Sequence, residues 1–156
     1  MKLVVISDSH GDIFRVQKII DRETPFDMLI HCGDGAADPL RANMPEGASL
    51  VRVSGNVDRY SSAELEEQEL IDVCGFKIMV VHGDRYGVNY GDSKLRSMTG
   101  CDAVFFGHTH IKHISPGRPV LLNPGPANRG SYAIVFLDSD TRSIRPEFRN
   151  LAYQAE

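Results

Sequence analysis

The segment Phe105-Phe106-Gly107-His108-Thr109-His110 places two imidazoles two residues apart, directly behind an apolar run that predicts a β-strand. This pair suits a transition-metal site, because neutral imidazole is a common metal ligand. Earlier apolar runs end in the same way, in Asp, Asn or His with glycine close by. These junctions lie within residues 3–10, 28–34, 50–58 and 78–84.

Polar side chains at the carboxyl ends of several strands converge on one crevice, which is where open α/β sheets bind ligands. Each of these residues taken alone has an ordinary structural interpretation, such as a turn or a helix cap. As a set they predict a metal site. The polar residues at these junctions include Asp8, His10, Asp34, Asn56, His82, His108 and His110.

The first half of the chain alternates predicted strands and helices. Apolar residues recur at helical spacing after Asp12, which predicts a helix of about ten residues with Asp12 as its N-cap. Strands are expected at about 27–32 and 49–53, with a short helix near 36–43 between them. This alternation favours a parallel sheet, because parallel strands need crossover connections.

The second half is richer in strands. The runs 69–73 and 76–81 flank Cys74-Gly75 and predict a β-hairpin. A helix is expected near 92–99. The remaining predicted strands cover 102–106, 111–115, 119–122, 131–137 and 143–149.

Length and composition indicate one globular domain over residues 1–156, with 42% hydrophobic and 24% charged residues. No apolar run approaches the roughly 20 residues of a membrane span. A first strand that begins at Lys2 leaves no room for a signal peptide. Three cysteines without paired spacing (Cys32, Cys74 and Cys101) indicate reduced thiols, so a cytoplasmic location is expected.

The formal charge of −4 and the lack of a basic run make nucleic acid an unfavoured partner. Cys32 lies one residue before Gly33-Asp34, but a free cysteine is commonly a small buried apolar residue. We therefore interpret Cys32 as part of the core and not as a metal ligand.

The clusters D-x-H, GD, GN-x-D, HG and GHTH, in this order, resemble the calcineurin-like metallophosphoesterase superfamily over roughly residues 3 to 125. The length and the later Leu122-Asn123-Pro124-Gly125 are most similar to its small stand-alone branch, the YfcE-type phosphodiesterases. The resemblance implies a four-layer α/β/β/α sandwich of two mixed β-sheets, with the metal crevice at their shared loop edge.

The resemblance also implies two divalent metal ions that share the carboxylate of Asp34. The first site would comprise Asp8, His10, Asp34 and His110. The second site would comprise Asp34, Asn56, His82 and His108. Nitrogen and oxygen ligands without thiolate suit Mn, Fe, Zn, Co or Ni better than Ca or Mg, and the family suggests Mn²⁺.

The implied activity is hydrolysis of a small phosphate ester, a diester rather than a monoester, by in-line attack of a hydroxide that bridges the two ions. One alternative is a non-catalytic interaction module, because the scaffold subunit of retromer resembles this fold and has lost ligand residues. A metal-dependent nuclease is another alternative. The complete ligand set favours the enzyme over these alternatives. No membrane partner is expected. A homo-oligomer is possible on the sequence alone.

Two positions depart from the family pattern. Val57 stands where fuller enzymes carry a histidine proposed as the acid for the leaving group. Asp84 stands where a second histidine often follows HG. Both departures spare the ligands and leave the proton donor and the range of substrates open.

Further polar residues surround the predicted ligands. His31 is interpreted as structural and His113 as a surface or outer residue, while Asp58 is expected to orient a neighbour by hydrogen bonding. The polar stretch 60–68 is the candidate for a mobile loop near the mouth. Three residues could hold a phosphate oxygen of the substrate: Arg59, Asn128 and Arg129. The equal alternative for each is an exposed loop residue without such a contact.

Overall fold

The computed structural model describes residues 1–61 and 64–151. In chain order, its strands and α-helices are β1 (Lys2–Ile6), α1 (Ile13–Glu23), β2 (Met28–His31), β3 (Ser49–Arg52), β4 (Gln68–Val73), β5 (Phe76–Val81), α2 (Ser93–Arg96), β6 (Ala103–Phe105), β7 (His113–Ser115), β8 (Val120–Asn123), β9 (Ser131–Asp138) and β10 (Ser143–Asn150). Short 3₁₀ turns lie between several of them, including Asp38–Arg41, Asp58–Tyr60, Asp84–Tyr86 and Val88–Tyr90.

The strands form two five-stranded mixed sheets. The first sheet has the order β10-β9-β1-β2-β3, in which β1, β2 and β3 are parallel, β9 is antiparallel to β1, and β10 is antiparallel to β9. The second sheet has the order β4-β5-β6-β8-β7, in which β5, β6 and β8 are parallel. The parallel strands of both sheets deliver the predicted site residues from their carboxyl ends.

Three apolar clusters separate four layers. One cluster lies between the sheets and includes Ile30 and Phe105. A second joins the first sheet to α1 through Val16 and Ile19. A third joins the second sheet to α2 and the neighbouring 3₁₀ turns through Leu95. The α/β/β/α sandwich of two mixed sheets is therefore confirmed.

Helix α1 forms as its sequence predicts. The Asp12 side chain accepts a hydrogen bond from the Arg15 backbone N–H at 3.0 Å, which caps the first turn. The helix ends at Glu23, immediately before Thr24-Pro25, because a residue that precedes proline disfavours the helical region.

The outer layer on the second sheet is thinner than expected. The helix predicted over 92–99 is one turn, Ser93–Arg96, because Leu95 is the only residue of that turn that is buried and Thr99-Gly100 propagate a helix poorly. A second predicted helix is also shorter than expected. On the side of the first sheet, next to α1, the helix predicted over 36–43 is the 3₁₀ turn Asp38–Arg41.

Several predicted strands are slightly longer than those observed. Strand β7 begins at His113 rather than at 111, because the Ile111 N–H donates to the Thr109 hydroxyl and turns the chain. The hairpin of β4 and β5 is confirmed, with both Cys74 and Gly75 at positive φ in its turn. Of the proposed mobile loop 60–68, residues 62 and 63 lie outside the described residues.

Within the described ranges, no helix combines the length and apolar character that a membrane crossing requires.

Candidate metal centre

All seven predicted ligands lie in the loops that follow the parallel strands, and five of them have a left-handed backbone. Their φ angles lie between 47° and 69°, at Asp8, His10, Asp34, His108 and His110. Such conformations cost of order 1–3 kcal/mol each in non-glycine residues and cluster at functional sites. Asp and His tolerate them better than most residues do.

The first group of converging side chains comprises Asp8, His10 and His110. The Asp8 Oδ1 atom lies 3.1 Å from His110 Nε2 and 3.7 Å from His10 Nε2. The two imidazole Nε2 atoms are 3.3 Å apart. Three donor atoms thus face one another across the ends of β1 and β6.

The second group comprises Asp34, His82 and His108. Its shortest contact joins Asp34 Oδ2 to His82 Nε2 at 3.2 Å. The Asn56 Oδ1 atom adds an oxygen 3.1 Å from the same His82 nitrogen. The rings of His82 and His108 meet nearly edge to face, with centroids 5.1 Å apart.

The two groups adjoin, because Asp8 Oδ1 is also 3.9 Å from His82 Nε2. Asp34 belongs to the second group alone by direct convergence. Its role as a ligand shared between two ions therefore stays a prediction.

The Asp8 carboxylate gives the strongest test of whether metal ions fit these residues. Asp8 is fully buried, and its Oδ2 atom accepts hydrogen bonds from the Ser7 hydroxyl and the His108 backbone N–H. Within the described part of the chain, Oδ1 accepts none. A buried carboxylate oxygen without a donor is costly, whereas a divalent cation among these imidazoles would satisfy it.

Hydrogen bonding fixes the ring of His82. Its Nδ1 atom donates to the Cys32 carbonyl at 2.8 Å, so Nε2 is the nitrogen that faces Asn56 and Asp34. Burial lowers the pKa of His82, but the hydrogen bond to Asp34 and the charges of Asp8 and Asp34 outweigh it and raise the pKa above its ordinary value. A cation bound here would displace a proton, so its affinity depends on pH.

The Asp58 carboxylate holds the loops that carry Asp34 and Asn56. It accepts hydrogen bonds from the Asp34 N–H at 2.7 Å and the Gly55 N–H at 2.9 Å, and from the N–H groups of residues 35 and 36 at 2.9 and 3.2 Å. The expectation that Asp58 orients a neighbour is confirmed, and the neighbours are backbone amides.

Two glycines allow these loops to approach closely. A Cβ atom at Gly55 would lie 2.2 Å from Asp34 Oδ1, and one at Gly107 would lie 1.9 Å from Ser7 Oγ. Any side chain at either position would push apart the segments that carry the candidate ligands.

His31 is structural, as interpreted from its position. Its Nδ1 atom accepts a hydrogen bond from the Gly33 N–H, and its Nε2 atom lies 2.8 Å from Ser9 Oγ, whose hydroxyl donates to Asp38. These partners require the neutral ring with its proton on Nε2. Full burial lowers the pKa of His31 to about 3.

The neutral state of His31 predicts a pH dependence of stability. The folded pKa lies below the unfolded value of about 6.5, so this contribution is complete above pH 6.5 and is lost as pH falls towards 3. The slope reaches at most about 1.4 kcal/mol per pH unit. Urea unfolding between pH 4 and 7 should show a flatter dependence for His31→Gln than for the native chain, and equal slopes would contradict this account.

Arg59 is engaged by two carboxylates, and its predicted role in holding a phosphate oxygen stays a prediction. Its guanidinium bonds to Glu67 at 2.9 Å and to Asp84 at 2.6 Å. Asp84, at a position where a histidine often follows HG, therefore links the turn after β5 to the turn after β3. Arg85 extends the network through Glu67 at 2.7 Å.

The other flanking residues fall into two classes. His113 pairs with Asp92 at 3.0 Å and packs against Phe106, which agrees with an outer position. The Asn128 N–H donates to the Asp8 carbonyl, so Asn128 adjoins the centre, and Arg129 is exposed. A phosphate contact at Asn128 or Arg129 stays a prediction.

Cysteine does not contribute to the centre. Cys32 is fully buried in the cluster between the sheets, and burial raises the pKa of its thiol well above the ordinary value. A thiol that keeps its proton is a poor metal ligand, which supports the interpretation of Cys32 as a core residue.

Sequence reasoning missed two contacts at the histidine loop. Asn123 donates from Nδ2 to the Gly107 carbonyl at 2.9 Å and to Thr109 Oγ1 at 3.0 Å, which braces the GHTH turn. Asn89 reaches the Nε2 atom of His108 from another loop. Asn123 could have been suspected from its place at a strand end, whereas nothing in the local sequence marks Asn89.

Comparison with known proteins agrees with the geometry. YsnB of Bacillus subtilis, a probable metallophosphoesterase, is 32% identical over 93% of this chain and 89% of its own length. A crystal structure of a predicted phosphoesterase from Streptococcus pneumoniae has 27% identity and a TM-score of 0.74, covering 96% of this chain and 88% of that one.

Two structures at 19% identity share the fold alone. A single mutant of Vps29 from Entamoeba histolytica has a TM-score of 0.69 and covers 97% of this chain and 100% of its own. An archaeal phosphodiesterase has a TM-score of 0.67, with 96% and 100% coverage. The model of the calcineurin-like phosphoesterase superfamily domain matches residues 1–141, so the chain belongs to the calcineurin-like phosphoesterase superfamily.

Proposed function

We propose that this chain hydrolyses phosphate esters, with phosphodiesters as its substrates, at a centre of two divalent transition-metal ions. The observation that carries the proposal is the buried Asp8 Oδ1 atom, which has three imidazole nitrogens within 4 Å and accepts no hydrogen bond in the described chain. The proposed ligands are Asp8, His10, Asp34 and His110 for one ion, and Asp34, Asn56, His82 and His108 for the other.

When bound, two such ions supply Lewis acidity to the phosphoryl oxygens and lower the pKa of a water nucleophile towards about 7. Ligation by nitrogen and oxygen fits Mn²⁺, and also Fe, Zn, Co or Ni. The chain itself contributes the two carboxylate charges, rings of fixed orientation and loops held by Asp58. This preorganisation spares the cost of arranging polar groups during the reaction.

The charge around the crevice favours a diester over a monoester. A diester carries one negative charge on its phosphate, whereas a monoester carries up to two and gains more from nearby cationic side chains. The Arg59 guanidinium is already paired with Glu67 and Asp84. The fixed cation nearest in sequence to Asn56 is therefore neutralised, and we expect diesters to have the higher kcat/KM.

An interaction scaffold like the retromer subunit is the competing function. The likeness to Vps29 supports this alternative through the fold alone. In this chain every one of the seven ligand positions holds a metal-competent side chain, and this completeness favours the enzyme over the scaffold. We also propose a cytoplasmic location, since exposed Cys74 and buried Cys32 and Cys101 are all free.

Metal content and chelation test the proposed function. After reconstitution with Mn²⁺ and desalting, elemental analysis should give about two ions per chain, and hydrolysis of bis-aryl phosphodiesters should cease on chelation and return when metal is restored. His113→Gln, which changes a histidine outside the centre, is the matched control and should keep both ions. Saturation at one ion or fewer, or activity indifferent to the chelator, would contradict the proposal.

A further inference from the structure

In the loop 83–92, which the structure describes in full, Asn89 is the one side chain that hydrogen-bonds to a proposed ligand. Its carboxamide nitrogen lies 3.1 Å from His108 Nε2. The ligand set inferred from the sequence does not include Asn89. The Asn89 side chain also belongs to neither group of converging ligands.

The loop that carries Asn89 is anchored on the N-terminal side of that residue. Val88 is buried in the outer cluster with Val81 and Phe106, and glycines at positive φ flank the 3₁₀ turn Val88–Tyr90. Earlier in the same loop, Asp84 is paired with Arg59. Asn89 therefore meets His108 from a defined backbone position, whereas the adjacent Tyr90 side chain is exposed to solvent.

A metal-binding imidazole generally offers one nitrogen to the ion and hydrogen-bonds through the other, which fixes both its tautomer and its orientation. His82 already follows this pattern, with Nδ1 bonded to the Cys32 carbonyl. For His108, the corresponding partner is the Asn89 carboxamide at Nε2. A half-turn of this carboxamide exchanges its oxygen and nitrogen, so it can accept a hydrogen bond at the same place.

We propose that Asn89 is the positioning residue for His108. In the metal-bound protein its Oδ1 atom accepts a hydrogen bond from Nε2–H, which leaves Nδ1 as the nitrogen that binds the second ion. This inference rests on the proposed dinuclear centre. It adds a residue that controls how tightly the second ion is held and does not touch the first group.

The test compares two substitutions at Asn89 by calorimetric titration of the metal-free protein with Mn²⁺, without substrate. Asn89→Leu keeps the approximate size but removes the hydrogen bond, and it should weaken the second ion by about 10–100-fold while the first keeps its Kd. Asn89→Asp retains an acceptor oxygen and should restore the second Kd to within a few-fold. Tyr90→Ala, on the same turn, is the control for general disturbance of the loop and should behave as the native chain.

A spectroscopic readout tests the tautomer directly. In the Zn²⁺-loaded protein, long-range ¹H–¹⁵N correlations should show the proton of His108 on Nε2, and Asn89→Leu should weaken or redistribute that signal. A proton found on Nδ1 in the native protein would overturn the inference. An unchanged or lower Kd for the second ion in Asn89→Leu would also overturn the inference. In that case the proposed function would stand, because the native chain would still bind two ions. A native chain that binds fewer than two ions would instead refute the proposed function itself.

Discussion

The substitution Asp34→Asn is expected to abolish binding at the second site, to weaken the first, and to lower kcat/KM for a phosphodiester by at least about 10³-fold. The loss corresponds to the several kcal/mol of transition-state stabilisation that metal ions supply. The Asp34 carboxylate lies 3.2 Å from His82 Nε2 and carries the charge of that group. By resemblance it also serves the first ion.

The variant is chosen to change charge without changing shape. The Asp34 Oδ1 atom accepts a hydrogen bond from the Val57 N–H at 2.9 Å, and an asparagine oxygen can accept the same bond. The Asp34 backbone N–H donates to the Asp58 carboxylate, and this hydrogen bond does not depend on the side chain of residue 34. Circular dichroism and urea unfolding should therefore show a folded protein.

Asn56→Ala is the matched comparison, because Asn56 contributes a neutral oxygen to the second group alone. We expect it to weaken mainly the second ion. Titration of both variants with Mn²⁺, together with elemental analysis, separates the two patterns. Equal and complete loss of metal from both variants, or retention of the first ion at native affinity in Asp34→Asn, would show that Asp34 does not bridge the two ions.

The site could be predicted from sequence because each candidate ligand lies at the end of an apolar run. The direction of a parallel strand fixes the edge at which His82 or His108 emerges, so local patterns were sufficient to gather the set. The Asp12 cap and the Cys74-Gly75 hairpin were predictable for the same reason, since both depend on residues adjacent in the chain.

Contacts between distant loops could not be predicted in this way. The local sequence does not distinguish Arg59 from Arg129. In the structure, however, Arg59 pairs with Asp84, which is 25 residues away. Asn89 meets His108 from a 3₁₀ turn whose position depends on Val88 packing in the outer cluster. The short α2 likewise reflects tertiary context, since one buried leucine supports only one turn.

Val57 gives the second prediction of large effect. Its backbone N–H bonds to Asp34, and its side chain is 51% exposed beside Asn56, at the position where a leaving-group acid would stand. Valine donates no proton. We therefore expect kcat/KM of the native chain to fall steeply as the leaving-group pKa rises across a series of diesters from nitrophenyl to alkyl, since a general acid is worth about 10²–10⁴-fold and helps basic leaving groups most.

Val57→His should flatten that dependence by raising the rate for poor leaving groups by about 10-fold or more, with little change for nitrophenyl esters. The gain is smaller than that of an evolved acid because Asp58, the adjacent carboxylate, is already committed to four backbone amides and cannot orient the new ring. Val57→Leu is the matched control, because it changes the side chain without adding a proton donor. It should keep the steep slope.

The slope of the native chain decides whether the departure at Val57 matters. It must be measured where chemistry limits the rate, because rate-limiting product release would hide any dependence on the leaving group. A native slope near zero under those conditions would mean that another group delivers the proton. His10 would then be the first residue to examine, because its imidazole is exposed in the crevice. A steep native slope that Val57→His leaves unchanged would place residue 57 out of reach of the leaving oxygen, and the absence of an acid there would not explain the preference for activated esters.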